Sequence, residues 1–150
     1  MEEKSDELVI VYHWVAGSMP PPHHYEYMIT LGPGFTGQID YQPDYAFEGV
    51  PVWREEFALE SNIVEELHEL LVAADVFTRR WQAVEDGAVG GSLQWLDVSY
   101  QGEQYKVPTR VRETEELEAL YRFIRACVPE AVWGVLRAKR EKYIKASGEN

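Results

Sequence analysis

The chain of 150 residues carries a formal net charge of −12, with 45% hydrophobic and 27% charged residues. This length corresponds to about one domain, and the hydrophobic share is that of a globular protein rather than a disordered one. A chain whose single cysteine is Cys127 cannot form an intramolecular disulfide, which excludes the disulfide-rich secreted class.

The charge and the first residues bear on localisation and partners. The acidic segment 1–7 lacks the basic and apolar parts of a signal peptide, and no apolar run reaches the ~18 residues of a membrane span. We therefore expect a cytoplasmic protein that does not bind membranes. An acidic field repels nucleic-acid phosphate and attracts cationic surfaces, so we expect a basic protein partner and no nucleic-acid binding.

Four strands are expected in the first 60 residues. The nearly continuous apolar run Leu8–Val15 predicts a central strand that is covered on both faces. Residues 24–31 and 35–42 each alternate between two sets of side chains, and the Gly-Pro-Gly turn between them predicts an antiparallel hairpin. Residues 50–59 predict a fourth strand, in which Pro51 favours a position near an edge.

Three helices are expected in the remaining chain. Asn62 followed by Glu65 predicts a capping box for a first helix that ends near Asp75. Thr114 is the predicted N-cap of a second helix. Pro129 is the predicted first residue of a third, basic helix that runs to about residue 146.

Strands dominate early and helices dominate late, which favours an α+β fold over a repeated βαβ unit. Residues 92–100 and 103–107 predict a second hairpin. We expect one domain over residues 1–150, with disordered tails at 1–7 and 147–150. The expected architecture is a mostly antiparallel sheet of about six strands, a four-strand meander followed by a hairpin, with two to three helices packed on one face.

The segment Gly17–His24 contains three consecutive prolines and ends in two histidines, His23 and His24. The prolines cannot donate to a sheet and predict a rigid, extended loop. Imidazoles beside Glu26 are possible metal ligands, but adjacent strand residues point to opposite faces and no second ligand pattern accompanies them. We therefore predict no metal site and no cofactor.

Aromatic residues concentrate in the predicted meander. Six of them could line one face of the sheet: Tyr12, Trp14, Tyr25, Tyr27, Tyr41 and Trp53. If helices cover that face, these residues form core, as a sheet normally buries one face under another layer. If part of the face is exposed beside the proline loop, it would make a binding patch.

No catalytic motif is present, and Cys127 falls on an apolar helix stripe where a buried, inert thiol is expected. We therefore expect a non-enzymatic protein-interaction or accessory module. The candidate residues for ligand or partner binding are Trp14, His23, His24, Tyr25, Glu26, Trp53 and Glu55. The acids expected to steer a basic partner are Asp40, Asp44, Glu55 and Glu56.

Two alternatives remain open from the sequence. The chain could be a small-ligand-binding protein or enzyme, with a pocket between loops 16–24 and 86–92. It could also form a homodimer through the basic third helix, which would dock on the acidic body of a second copy.

Overall fold

The computed structural model describes residues 7–83 and 91–148 and contains one six-stranded sheet and three helices. The strands are β1 (Leu8–Val15), β2 (Glu26–Leu31), β3 (Thr36–Gln42), β4 (Trp53–Ala58), β5 (Leu93–Tyr100) and β6 (Glu103–Val107). The helices are α1 (Ser61–Ala73), α2 (Glu115–Cys127) and α3 (Glu130–Ser147). The strand order is β4-β3-β2-β1-β5-β6, and every pairing is antiparallel. The predicted α+β fold, with its meander and its later hairpin, is confirmed.

The sheet order follows from the meander β1–β4, the hairpin β5–β6 and one longer return from β4 to β5. β1 lies in the centre because it pairs with β2 on one side and β5 on the other. β4 and β6 form the two edges. Pro51 precedes β4, so the missing N–H of proline falls outside the β3–β4 ladder, as predicted.

The helices cover one face of the sheet, and the core lies between the two layers. The sheet residues of this core share one strand parity: Ile10, Tyr12, Ile29, Leu31, Ile39, Tyr41, Leu96, Val98 and Val107. They meet buried side chains from α1, α2 and α3, among them Leu71, Ile124 and Leu136. The prediction that β1 is covered on both faces is wrong within the described residues, because its other side chains, such as Val11, are only half-buried.

The helix boundaries correct two sequence predictions. The capping box at Asn62 is wrong: α1 begins at Ser61, so Asn62 lies inside the helix, and the N-cap residue Glu60 makes no side-chain cap. α3 begins at Glu130 with Pro129 as its N-cap and extends through Ser147, so Ser147 does not belong to a disordered tail. The cap at Thr114 is confirmed, since its hydroxyl accepts from the Leu117 N–H at 3.1 Å.

Three further predictions fall wholly or partly on residues 1–6, 84–90 and 149–150, which lie outside the described residues. They concern the two tails and most of loop 86–92. In the described ranges, no helix combines the length and apolarity needed to cross a membrane.

Candidate interaction surfaces

A row of stacked aromatic rings crosses the helix-covered face from β1 to β4. The Trp14 and Tyr27 rings are 5.2 Å apart, Tyr27 and Tyr41 are 6.2 Å apart, and Tyr41 and Trp53 are 5.9 Å apart. The Tyr25 ring stacks on Tyr41 at 5.5 Å. The pairing register places Trp14 opposite Tyr27, Tyr27 opposite Tyr41 and Tyr41 opposite Trp53, which is why the rings of these four residues meet.

Helix α3 lies over this row. Trp133 packs edge-on against Tyr27 at 5.2 Å, and the Arg140 guanidinium lies 4.4 Å from the centre of the Tyr25 ring. Lys139 lies 5.8 Å from the centre of the Trp53 ring and 3.9 Å from the carboxylate of Glu55. The candidates Tyr25, Trp53 and Glu55 therefore contact α3, and Trp14 packs against the core. Of the two alternatives for the aromatic residues, the structure supports core.

Burial changes the pKa of two tyrosine hydroxyls in this row. Loss of water raises the pKa of the Tyr27 and Tyr41 hydroxyls above the ordinary value, because the phenolate form is poorly solvated there. Both side chains therefore stay neutral across the physiological pH range. They act as packing groups with a polar tip rather than as acids or bases.

The neighbouring histidines His23 and His24 lie in different environments. His23 is exposed, and its carbonyl accepts from Arg140 at 3.0 Å. His24 is buried, at 3% exposure; its Nε2 lies 2.9 Å from the Glu26 carboxylate and its ring stacks on Tyr45 at 3.8 Å. Within residues 7–83 and 91–148, no three His, Cys, Asp or Glu side chains form a group that could hold a metal ion.

His24 and Tyr45 join the proline loop to the loop before β4. The Tyr45 hydroxyl donates to the Met19 carbonyl at 2.7 Å, and its backbone N–H donates to Asp44 at 2.8 Å. The Asp44 carboxylate also accepts from the Tyr143 hydroxyl of α3 at 2.8 Å. Two loops and one helix therefore meet at this buried carboxylate, which is 3% exposed.

The acids expected to steer a partner divide into internal and external groups. Asp44 is internal, and Asp40 is buried and accepts from Arg54 at 2.7 Å. Glu55 faces α3. Only Glu56 is exposed in the way that long-range steering requires. The sequence could not separate them, because the burial of Asp40 goes with its contact to Arg54 and that of Asp44 with its contact to Tyr143 of α3, and both contacts are made only in the fold.

The face of the sheet opposite the helices is called here the open face. Its strand positions are Val9, Val11, His13, Val15, Glu26, Met28, Thr30, Thr36, Gln38, Asp40, Gln42, Arg54, Glu56, Ala58, Leu93, Trp95, Asp97, Ser99, Gln104 and Lys106. Apolar side chains occupy its centre, on β1, β2 and β5. Four of its side chains are acidic and two are basic, so the open face has an excess of negative charge.

A hollow of about 270 Å³ lies on the open face near the end of β1 and the start of β2. It is called here the acidic hollow, and its lining is His13, Trp14, Val15, Glu26, Tyr27, Met28, Asp40, Gln42, Val52 and Trp95. The lining includes the carboxylates of Glu26 and Asp40 and no lysine or arginine. Asp40 already pairs with Arg54, so Glu26 is the carboxylate left for a ligand. The Glu26 side chain is 36% exposed, so its carboxylate can meet a ligand while His24 holds it in place.

His13 forms a fixed polar group at the edge of the acidic hollow. Its ring stacks on Trp95 at 4.6 Å, and its Nε2 lies 3.2 Å from the Asp97 carboxylate. Lys106 contacts the other oxygen of Asp97 at 2.9 Å. Burial lowers the pKa of His13 below its ordinary value, and the nearby Asp97 charge opposes that shift only partly. His13 is therefore neutral at pH 7.

The two loops of the small-ligand hypothesis lie at the same end of the sheet. Val15, at the end of β1, pairs with Leu93, at the start of β5. Residues 16 and 92 therefore leave the sheet side by side. Loop residues 86–90 lie outside the described residues, so no pocket between the loops can be described.

Cys127 is half-buried at the end of α2. Burial raises the pKa of its thiol to about 11, so little thiolate forms at neutral pH. The thiol is half-buried rather than fully buried, and its inertness stays a prediction.

No protein-family model matches the chain, and the search of curated proteins found no match.

Proposed function

We propose that this chain is a non-enzymatic interaction module that binds a basic segment of a partner protein on the open face. The observation that carries the proposal is the acidic hollow, whose lining includes the carboxylates Glu26 and Asp40 and no lysine or arginine. The whole chain also favours cationic partners, since its net charge of −12 attracts them over long range. A cytoplasmic setting is part of the proposal, because the single cysteine fits a reducing compartment.

The open face also has the composition of an interface. Its centre holds Val11, Met28 and Trp95, all half-buried, and its charged groups lie around them. Interfaces combine an apolar or aromatic centre, which supplies most of the binding energy, with a polar rim. The rim carboxylates would mainly speed association and reject acidic competitors.

A small-ligand site receives less support. That hypothesis places its pocket between loops 16–24 and 86–92, whereas the acidic hollow is lined by no residue of loop 16–24.

A homodimer through α3 also receives less support. Two of the basic residues of α3, Lys139 and Arg140, already contact Trp53 and Tyr25 of the same chain.

The test is capture of a partner from the native lysate by tagged protein, at low and at high salt. The informative variant is Val11→Lys, which places a cation at the centre of the open face. The control is Val72→Lys on α1, which introduces the same side chain at an apolar residue, 53% exposed, on the helical side of the chain. Lysine at either position can extend its amine into water, so both variants should fold, as circular dichroism would verify.

The proposal predicts a basic partner that wild type and Val72→Lys capture at low salt and release at high salt, and that Val11→Lys does not capture. Equal capture by both variants would show that the partner binds elsewhere. If wild type captures no basic protein at either salt, the interaction module is refuted, and a thermal-shift screen of small molecules becomes the next experiment.

A further inference from the structure

A second hollow, of about 330 Å³, lies between segment 76–81 and the edge strand β6. It is called here the basic groove. It contacts Gln104, Tyr105 and Lys106 in succession. Because consecutive strand side chains point to opposite faces, a hollow that contacts all three lies along the edge of β6 rather than on one face.

The charge of this groove is opposite to that of the chain as a whole. Its lining includes Arg79, Arg80 and Lys106 and no acidic residue. Arg79 lies 3.9 Å from Asp75, and Lys106 lies 2.9 Å from Asp97. The two cationic side chains are 44% and 69% exposed, and exposed ion pairs contribute about 0–1 kcal/mol, so these cations remain available to a ligand.

Trp81 also lines the groove. Its indole Nε1 is buried and has no hydrogen-bond partner among the described residues. A buried N–H normally has an acceptor, and a ligand oxygen would reach this one once the indole turns into the groove. The Arg79 guanidinium lies 4.9 Å from the centre of the Trp81 ring, so the indole of Trp81 lies next to a cationic side chain.

The outer backbone edge of β6 offers a third recognition element. In the described part of the chain, β6 pairs only with β5, along Glu103–Val107. Its outward N–H and C=O groups can therefore pair with an added extended chain. A nucleotide lacks the alternating N–H and C=O groups that would pair with this edge, whereas a peptide backbone has them.

We propose that the basic groove binds an extended, acid-rich peptide segment of a partner protein, which adds to β6 as a seventh strand. Its carboxylates would contact Arg79, Arg80 and Lys106, and one of its oxygens would accept from the Trp81 indole. Gln104 and Lys106 border both surfaces, but the groove lies along the outer edge of β6, away from the acidic hollow, and its charge is opposite. The chain would then carry one surface that binds basic segments and one that binds acidic segments. The experiment on either surface can refute its own proposal without refuting the other.

The experiment measures fluorescence anisotropy of a labelled hexapeptide of alternating glutamate and valine with the full chain at low salt. The informative variant is Arg79→Glu/Arg80→Glu. The matched control is Arg122→Glu/Lys142→Glu, which changes the same net charge at exposed positions on α2 and α3. The inference predicts that the first double variant binds about tenfold or more weakly than the control, since it reverses charges that the peptide contacts directly.

Two further comparisons separate the recognition elements. A peptide with methylated backbone nitrogens should bind several-fold more weakly if its N–H groups pair with β6. Trp81→Phe, which keeps an aromatic side chain but removes the indole N–H, should also weaken binding.

Three results would overturn the inference. One is that wild type does not bind the acidic peptide. Another is that both double variants bind it equally. The third is that the groove binds adenosine triphosphate and not the peptide, which would make it a phosphate site.

Discussion

Asp44→Ala tests whether a buried carboxylate holds α3 against the two loops. The change removes two hydrogen bonds of 2.8 Å each, from the Tyr45 N–H and from the Tyr143 hydroxyl. A hydrogen bond to a charged group contributes about 1.5–3 kcal/mol, and the variant no longer has to bury a charge. The expected loss in free energy of unfolding is therefore about 2–4 kcal/mol.

The assay is urea unfolding followed by tryptophan fluorescence, with Glu56→Ala as the control, because Glu56 is an exposed carboxylate on an edge strand. The control should change the free energy of unfolding by less than about 0.5 kcal/mol. For a chain of this size, the Asp44→Ala loss corresponds to a fall in Tm of about 5–15 °C. If Asp44→Ala unfolds at the same urea concentration as Glu56→Ala, the carboxylate does not anchor α3.

Three other perturbations test separate parts of the structure. Gly37→Ala should lower the free energy of unfolding by about 1–3 kcal/mol, because a Cβ there would overlap the ring of Phe57; unchanged urea unfolding would contradict that packing. The folded-state pKa of His13 lies below its unfolded value, so acidification through about pH 6.5 favours the unfolded state. Wild type should thus lose more stability than His13→Gln between pH 7.5 and 5, and equal losses would refute the assignment. Cys127 should react with iodoacetamide at pH 8 much more slowly than free cysteine, as its pKa of about 11 requires; an equal rate would contradict its burial.

The strands could be predicted because their information is local. The alternation in β2 and β3 and the intervening turn define the hairpin, and the apolar run of β1 places that strand in the centre. The same apolar run led to the wrong prediction that β1 is covered on both faces. Val9, Val11 and Val15 are half-buried on the open face, with no helix over them in the described residues. Periodicity records which side chains share a face, but not whether a second layer covers it.

The surfaces could not be predicted because they depend on contacts between distant segments. Asp44 and Tyr143 are 99 residues apart, and the basic groove joins segment 76–81 to β6. Asp44 and Asp40 look like surface acids in the sequence, yet both are buried and hydrogen-bonded. The pair His23 and His24 shows the same limit, since one is exposed and the other buried.

The most direct test of the central claim is a methyl NMR titration of the wild-type chain with its captured basic partner. The open face contributes the methyl groups of Val11, Val15 and Met28, and the helical side contributes those of Val72 and Val135 as internal controls. Binding on the open face predicts that the first three signals shift with partner concentration while the two controls stay in place. Shifts confined to Val72 and Val135 would place the partner on the helices and contradict the proposed function.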